Sequence, residues 1–134
     1  MFAVIATLAA AAGASLAVPA PAAHSPICTR GLTTVERDPR LLLPLDASPL
    51  EPAMAAALRF ESPRSKPLVL GASLATVDPR RGPAAKFECG SRVWRRTVVV
   101  YVRLRALLPS QSLSQRVLFV GRFRHGYRVW QVAH

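Results

Sequence analysis

Histidine is the side chain that most readily serves as a general base near neutral pH. This 134-residue chain carries three, His24, His125 and His134. His24 falls just past a leader-like segment, His125 in an expected hairpin turn and His134 at the last position. None has an Asp or Glu at a spacing that would orient its ring, as a nucleophile–histidine–carboxylate arrangement requires. The serines of Ser110-Gln111-Ser112-Leu113-Ser114-Gln115 read as turn residues rather than nucleophiles. Cys28 and Cys89 lack partner ligands at zinc-like spacing. The residue types therefore assign no catalytic residue, no metal site and no cofactor, and the chain is read as a non-enzyme.

Arginine is the remaining candidate for chemistry, as an anion receptor. The chain has 18 Lys plus Arg against 7 Asp plus Glu, a formal net charge of +11. The excess is uneven. After Glu88 there is no acidic residue, while Arg92, Arg95, Arg96, Arg103, Arg105, Arg116, Arg122, Arg124 and Arg128 follow. On the strands described below, Arg103, Arg105, Arg122 and Arg124 are expected to project from one outer sheet face, with Tyr101 among them. Guanidinium groups so grouped repel one another unless an anion binds. The fitting partners are an anionic polymer, an anionic lipid surface or an acidic protein. Nucleic acid is disfavoured, because no helix-turn-helix, finger or RNA-recognition motif is present. The competing reading is an ordinary solvated face whose arginines discourage edge pairing. Nothing in the sequence argues for a stable oligomer.

Two arginines fall on the other side of the pattern. Arg96 and Arg128 are expected on the apolar inner face, near Trp94. Burying unpaired guanidiniums is costly, so the three residues would mark a pocket mouth at the open end of the core, suited to a carboxylate or phosphate. Snorkelling of both side chains to solvent is the plainer account.

Elements must position these groups. From Met1 to Ala23 there is no charged side chain, and an apolar run from Phe2 to Val18 leads into Ala20-Pro21-Ala22. This is the layout of a signal peptide covering residues 1–22. No basic residue precedes the run, so a start codon upstream is expected; an uncleaved membrane anchor is the alternative. A secreted or extracytoplasmic location follows. In an oxidising compartment Cys28 and Cys89 would form a disulfide, closing a loop whose entropy is worth about 4 kcal/mol.

Residues 23–47 are Pro-rich and irregular, with Leu41-Leu42-Leu43 as a short apolar plug, and residues 48–134 form one domain. Ser48-Pro49-Leu50-Glu51 signals a helix start with Ser48 as cap. Leu50, Met54, Ala57 and Leu58 then supply the apolar stripe until Ser62-Pro63. Strands are expected at Leu68–Val77, Ala84–Cys89, Val93–Leu108, Arg116–Arg124 and Tyr127–Ala133. A two-residue turn His125-Gly126 would place Arg124 opposite Tyr127, Phe119 opposite Val132 and Trp130 over Gly121. The inner face would then hold Val117, Phe119, Phe123, Trp130 and Val132.

A helix followed by four or five antiparallel strands is an α+β roll, with one N-terminal helix on a curved sheet. In outline, over Ser48 to His134, it resembles the cystatin-like and nuclear-transport-factor-2-like architectures; a small all-β barrel or sandwich is the alternative. The expected function is a non-catalytic binding module that engages an anionic partner through its basic face. A small-ligand pocket, possibly enzymatic, is the second reading. A structural or inhibitory envelope protein is the third, weakened by the absence of a Gln-x-Val-x-Gly loop.

Overall fold

The computed structural model describes residues 38–134. The expected signal peptide and Cys28, and with it the expected Cys28–Cys89 pairing, lie outside the described residues. Within them the fold is α+β, with two helices and a four-stranded antiparallel sheet.

The first helix, α1, spans Leu50–Phe60. Its N-cap is Pro49 rather than Ser48, and the Ala53 N–H donates to the Pro49 carbonyl at 3.2 Å. The buried stripe also differs in part from the expected one. Ala57 is buried and Met54 packs on the core as expected, Ala53 and Ala56 join them against the sheet, and Leu50 and Leu58 stay exposed at 37% and 41%. Three small side chains let the helix backbone settle close on a surface already filled by branched strand residues.

Strand β1 (Pro67–Leu74) leads through a turn into α2 (Gly82–Arg95), and β2 (Thr97–Leu104), β3 (Gln115–Phe123) and β4 (Gly126–Ala133) complete a meander in chain order. The strand expected at Ala84–Cys89 is thus the first half of α2. Ala-Ala-Lys-Phe-Glu is made of good helix formers except Phe, and Pro83 sits in the first turn where its missing N–H is harmless. The helix kinks at Gly90, where φ is +83°, and runs on to Arg95, so the long strand begins at Thr97 and not at Val93.

Both faces of the sheet are covered, so the expected single N-terminal helix is corrected to two helices, the first of which follows the 38–49 segment, and the all-β alternative is excluded. Val98, Val100, Val102 and Leu104 of β2, with Leu118, Val120, Tyr127 and Val129, pack under α1. Val99, Val117, Phe119, Phe123 and Trp130 pack on the opposite side with Leu42, Ala85 and Val93. Central strands buried on both faces read as unbroken apolar runs rather than alternation, as Val98-Val99-Val100 and Val117-Leu118-Phe119-Val120 do. Four of the five expected inner-face residues do share a face, but it is the face away from α1; Val132 packs on the α1 side.

The hairpin register is corrected as well. Phe123 pairs with Gly126 and Arg122 with Tyr127, so the turn is Arg124-His125, and a register irregularity lies between Phe119 and Val120. Gly126 takes φ +108°, a conformation L side chains rarely adopt. Pairing there, rather than at Tyr127, puts the glycine at the strand entrance. Gly121 consequently pairs with Arg128, not Trp130. What covers Gly121 is Leu42, whose side chain occupies the space a Cβ would need. Trp130 stacks obliquely on Phe119 instead, with ring centroids 5.5 Å apart. The expected plug is present as Leu42 alone, 1% exposed.

Candidate functional site

Arg122 shows why the expected basic face does not assemble. Residues alternate sides along a strand, and β2–β3 pairing sets Tyr101 opposite Val117 and Arg103 opposite Gln115. Those residues project on the α2 side. Arg122 follows Leu118 and Val120 on the α1 side, at the far end of the sheet. Its guanidinium is engaged there: Nη1 lies 3.0 Å from Asp46 and donates to the Pro44 carbonyl at 3.3 Å. Its own carbonyl accepts from the Leu43 N–H at 2.8 Å. Tyr127 Oη adds a bond to Asp46 Oδ2 at 3.0 Å. Burial raises the Tyr127 pKa, and the Asp46 side chain adds to the effect against the Asp46 N–H and the charge of Arg122. Arg122 is therefore a fastener for the strap of residues 38–46, not part of an outer array. Arg124 is exposed in the hairpin turn.

The pocket-mouth trio is likewise dispersed. Arg96 caps the C-terminus of α2, and its Nη1 donates to the Leu42 carbonyl at 2.6 Å. Trp94, on α2, donates from Nε1 to the Ala75 carbonyl at 3.0 Å and carries Lys86 Nζ 4.5 Å from its ring centre. Arg128 lies at the hairpin, against a different cavity from Arg96.

A different basic cluster forms where β1 begins and β2 ends. Arg105 donates through its N–H and its Nε to the Lys66 carbonyl, at 3.2 and 3.3 Å, so Lys66 and Arg105 adjoin. Arg103 stands two residues back on β2, facing the α2 side. Two residues further, about 7 Å along the strand, Tyr101 lines a concavity of roughly 200 Å³ with Leu70, Arg80, Arg81, Gln115 and His134. Arg81 Nη2 donates to the His134 carbonyl at 2.9 Å, closing one side.

Asp78 organises this concavity and is itself spent. Its Oδ1 accepts from the N–H groups of Arg80 and Arg81 at 2.9 and 2.7 Å, and Ser73 Oγ donates to Oδ2 at 2.8 Å. Tyr101 Oη lies 3.1 and 3.0 Å from the two carboxylate oxygens. Burial by itself would raise the Asp78 pKa, but these donors outweigh it and hold the carboxyl below its ordinary value. Tyr101 shifts the other way, raised by burial and then by Asp78, with the charges of Arg80 and Arg81 opposing. Glu61, the carboxylate closing α1, is buried and paired with Arg116 at 3.2 Å. Glu88 also lies within reach of the Arg81 charge, while burial raises its own pKa, so Asp78 and Glu88 are the carboxylates nearest the remaining arginines at this end.

Sequence reasoning found Tyr101, Arg103 and Arg105 but missed Lys66, Arg80 and Arg81, because the first 88 residues are nearly charge-balanced. The available signal was Asp78-Pro79-Arg80-Arg81, a turn in which an aspartate satisfies the backbone and leaves two arginines projecting. Among the described residues no three of His, Cys, Asp and Glu gather at one place, and no helix is long and apolar enough to cross a membrane. Comparison with protein-family models, curated proteins and solved structures returns no match.

Proposed function

We propose that the protein is an exported, non-catalytic binding module that engages an anionic polymer or surface through the basic end of its sheet. One observation carries the reading. Arg80 and Arg81 line a concavity with Tyr101; Arg103, Arg105 and Lys66 extend the positive surface along the end of β2; and Asp78, beside Tyr101, already accepts hydrogen bonds from inside the protein. Asp78 and Glu88 offset part of this charge, but five cations outnumber the two carboxylates, so an external anion lowers the energy of the site. Tyr101 supplies a ring against which an arginine or a sugar can lie. The helix lying across an antiparallel meander also supports the cystatin-like or nuclear-transport-factor-2-like outline, with α2 as an addition on the opposite face.

The experiment compares two variants of equal charge loss on heparin and on anionic vesicles. Lys66→Gln/Arg80→Gln/Arg103→Gln/Arg105→Gln removes four of the five cations of the proposed surface and keeps Arg81, which bonds to the His134 carbonyl. Arg59→Gln/Arg92→Gln/Arg95→Gln/Arg124→Gln removes four cations from elsewhere. The first should elute at much lower salt than the parent, with a shallower salt dependence by roughly one unit of log–log slope per lost contact. The second should stay close to the parent. Equal shifts in both would reduce the effect to net charge and overturn the assignment.

A further inference from the structure

At the opposite end of the molecule, the strap and the β3–β4 hairpin enclose a second cavity of roughly 340 Å³. Its lining combines the apolar Leu41, Leu43 and Phe123 with Asp38 and the basic or ring-nitrogen side chains Arg124, His125 and Arg128. We propose that this cavity binds a small apolar monocarboxylate, the tail against the leucines and Phe123 and the carboxylate toward Arg124 and Arg128.

Four observations support the assignment. The walls are fixed before any ligand arrives. Leu42 is buried over Gly121, its carbonyl accepts from Arg96, and Leu43 N–H bonds to Arg122. That anchoring leaves the flanking side chains exposed, Leu41 at 67% and Leu43 at 39%, at a cavity wall instead of in the core. Apolar walls held open by a rigid backbone are what a ligand pocket requires.

Second, the charge is one-sided. Among the described residues Asp38 is the single carboxylate lining the cavity, and Arg40 holds it: Nε donates to both oxygens, at 3.0 and 2.8 Å, and the Arg40 N–H adds 2.9 Å to Oδ1. Arg40 keeps that carboxyl below its ordinary pKa against a smaller opposing effect of burial. None of the three ion pairs among the described residues involves Arg124 or Arg128.

Third, Arg128 is positioned. Its Nη1 donates to the Tyr127 carbonyl at 2.9 Å, which folds the guanidinium back over the hairpin rather than out to solvent. Fourth, the size fits: roughly 340 Å³ falls within the range of small-molecule sites and accommodates an acid of octanoate size.

The test uses sodium octanoate, with octanol as the uncharged control, in calorimetric titrations of the full chain. Octanoate should bind saturably and at least about tenfold more tightly than octanol, the worth of one charge-assisted hydrogen bond. Arg124→Gln/Arg128→Gln should erase that difference and leave octanol binding unchanged. Leu41→Asp, at an exposed position that costs the fold little, should weaken both ligands. Unaltered thermal melting of each variant keeps the comparison to binding. Octanoate binding that survives Arg124→Gln/Arg128→Gln, an octanol affinity equal to that of octanoate, or no saturable octanoate binding would each overturn the proposal. The basic-end variant above should bind octanoate as the parent does, since its substitutions lie at the other end of the sheet.

Discussion

Leu42 and Gly121 allow the register of the sheet to be tested by energetics alone. Leu42 is 1% exposed, and its Cδ2 stands where a Cβ on residue 121 would be. Leu42→Ala removes three buried carbons and leaves a void between strap and sheet, at a cost of about 2–5 kcal/mol. Gly121→Ala alone drives a methyl into Leu42 and toward the Arg96 carbonyl, 3.1 Å away. Overpacking of that kind costs about 1–3 kcal/mol, less a few tenths for the lower chain entropy of alanine. The double variant differs in kind. The new methyl enters space that the missing leucine has vacated, so the two losses should not add.

A coupling of roughly 1–3 kcal/mol toward stability is expected, within the range for contacting pairs. Urea unfolding followed by circular dichroism measures it, with the slope against denaturant checked for constancy. For a domain of this size 1 kcal/mol corresponds to about 4–8 °C in Tm, so thermal melts resolve it too. If the double variant loses the sum of the two single losses, Leu42 does not cover Gly121. The pairing of Gly121 with Arg128 would then be in doubt, and the arrangement with Trp130 over Gly121 would return.

Acid should destabilise the protein partly through Asp78. Its folded-state pKa is lowered from the unfolded value of 3.8, so the stability it contributes is complete above that value and is lost as pH falls through the folded one; Asp78→Asn should flatten that part of the stability–pH curve. Gly126→Ala, at φ +108°, should cost 1 kcal/mol or more by denaturation, whereas Ala at the neighbouring His125 should be near neutral. Trp130→Ala should cost about 3–5 kcal/mol through loss of its packing on Phe119, and a melting midpoint equal to the parent's would contradict its burial. In material recovered from outside the cytoplasm, non-reducing mass spectrometry should find the Cys28 and Cys89 peptides linked; unlinked alkylated peptides would refute the disulfide.

Much of the fold was legible because local chemistry and tertiary demand agree there. Pro49 and Ser62-Pro63 bracket α1, the valine-rich run of β2 suits only a strand, and Gly126 marks the hairpin. Leu42 could be read as a plug from three leucines in a Pro-rich stretch. The legible items share one property: a single residue's backbone preference, or a short periodicity, suffices to specify them. The errors arise where the outcome depends on a partner distant in sequence. Whether Ala84–Cys89 becomes strand or helix is decided by a sheet face that needs covering by Ala85 and Val93. The side to which Phe119 and Trp130 point follows from α1 taking the other face with its alanines. The charge cluster is the clearest case. Composition shows that the protein is basic and that its last 46 residues lack acid. It does not show that Arg122 is tied to Asp46, nor that Asp78 holds Arg80 and Arg81 beside Tyr101. Those pairings bring together residues 76 and 23 positions apart, and only the closed chain puts them within hydrogen-bonding distance or a Debye length of each other.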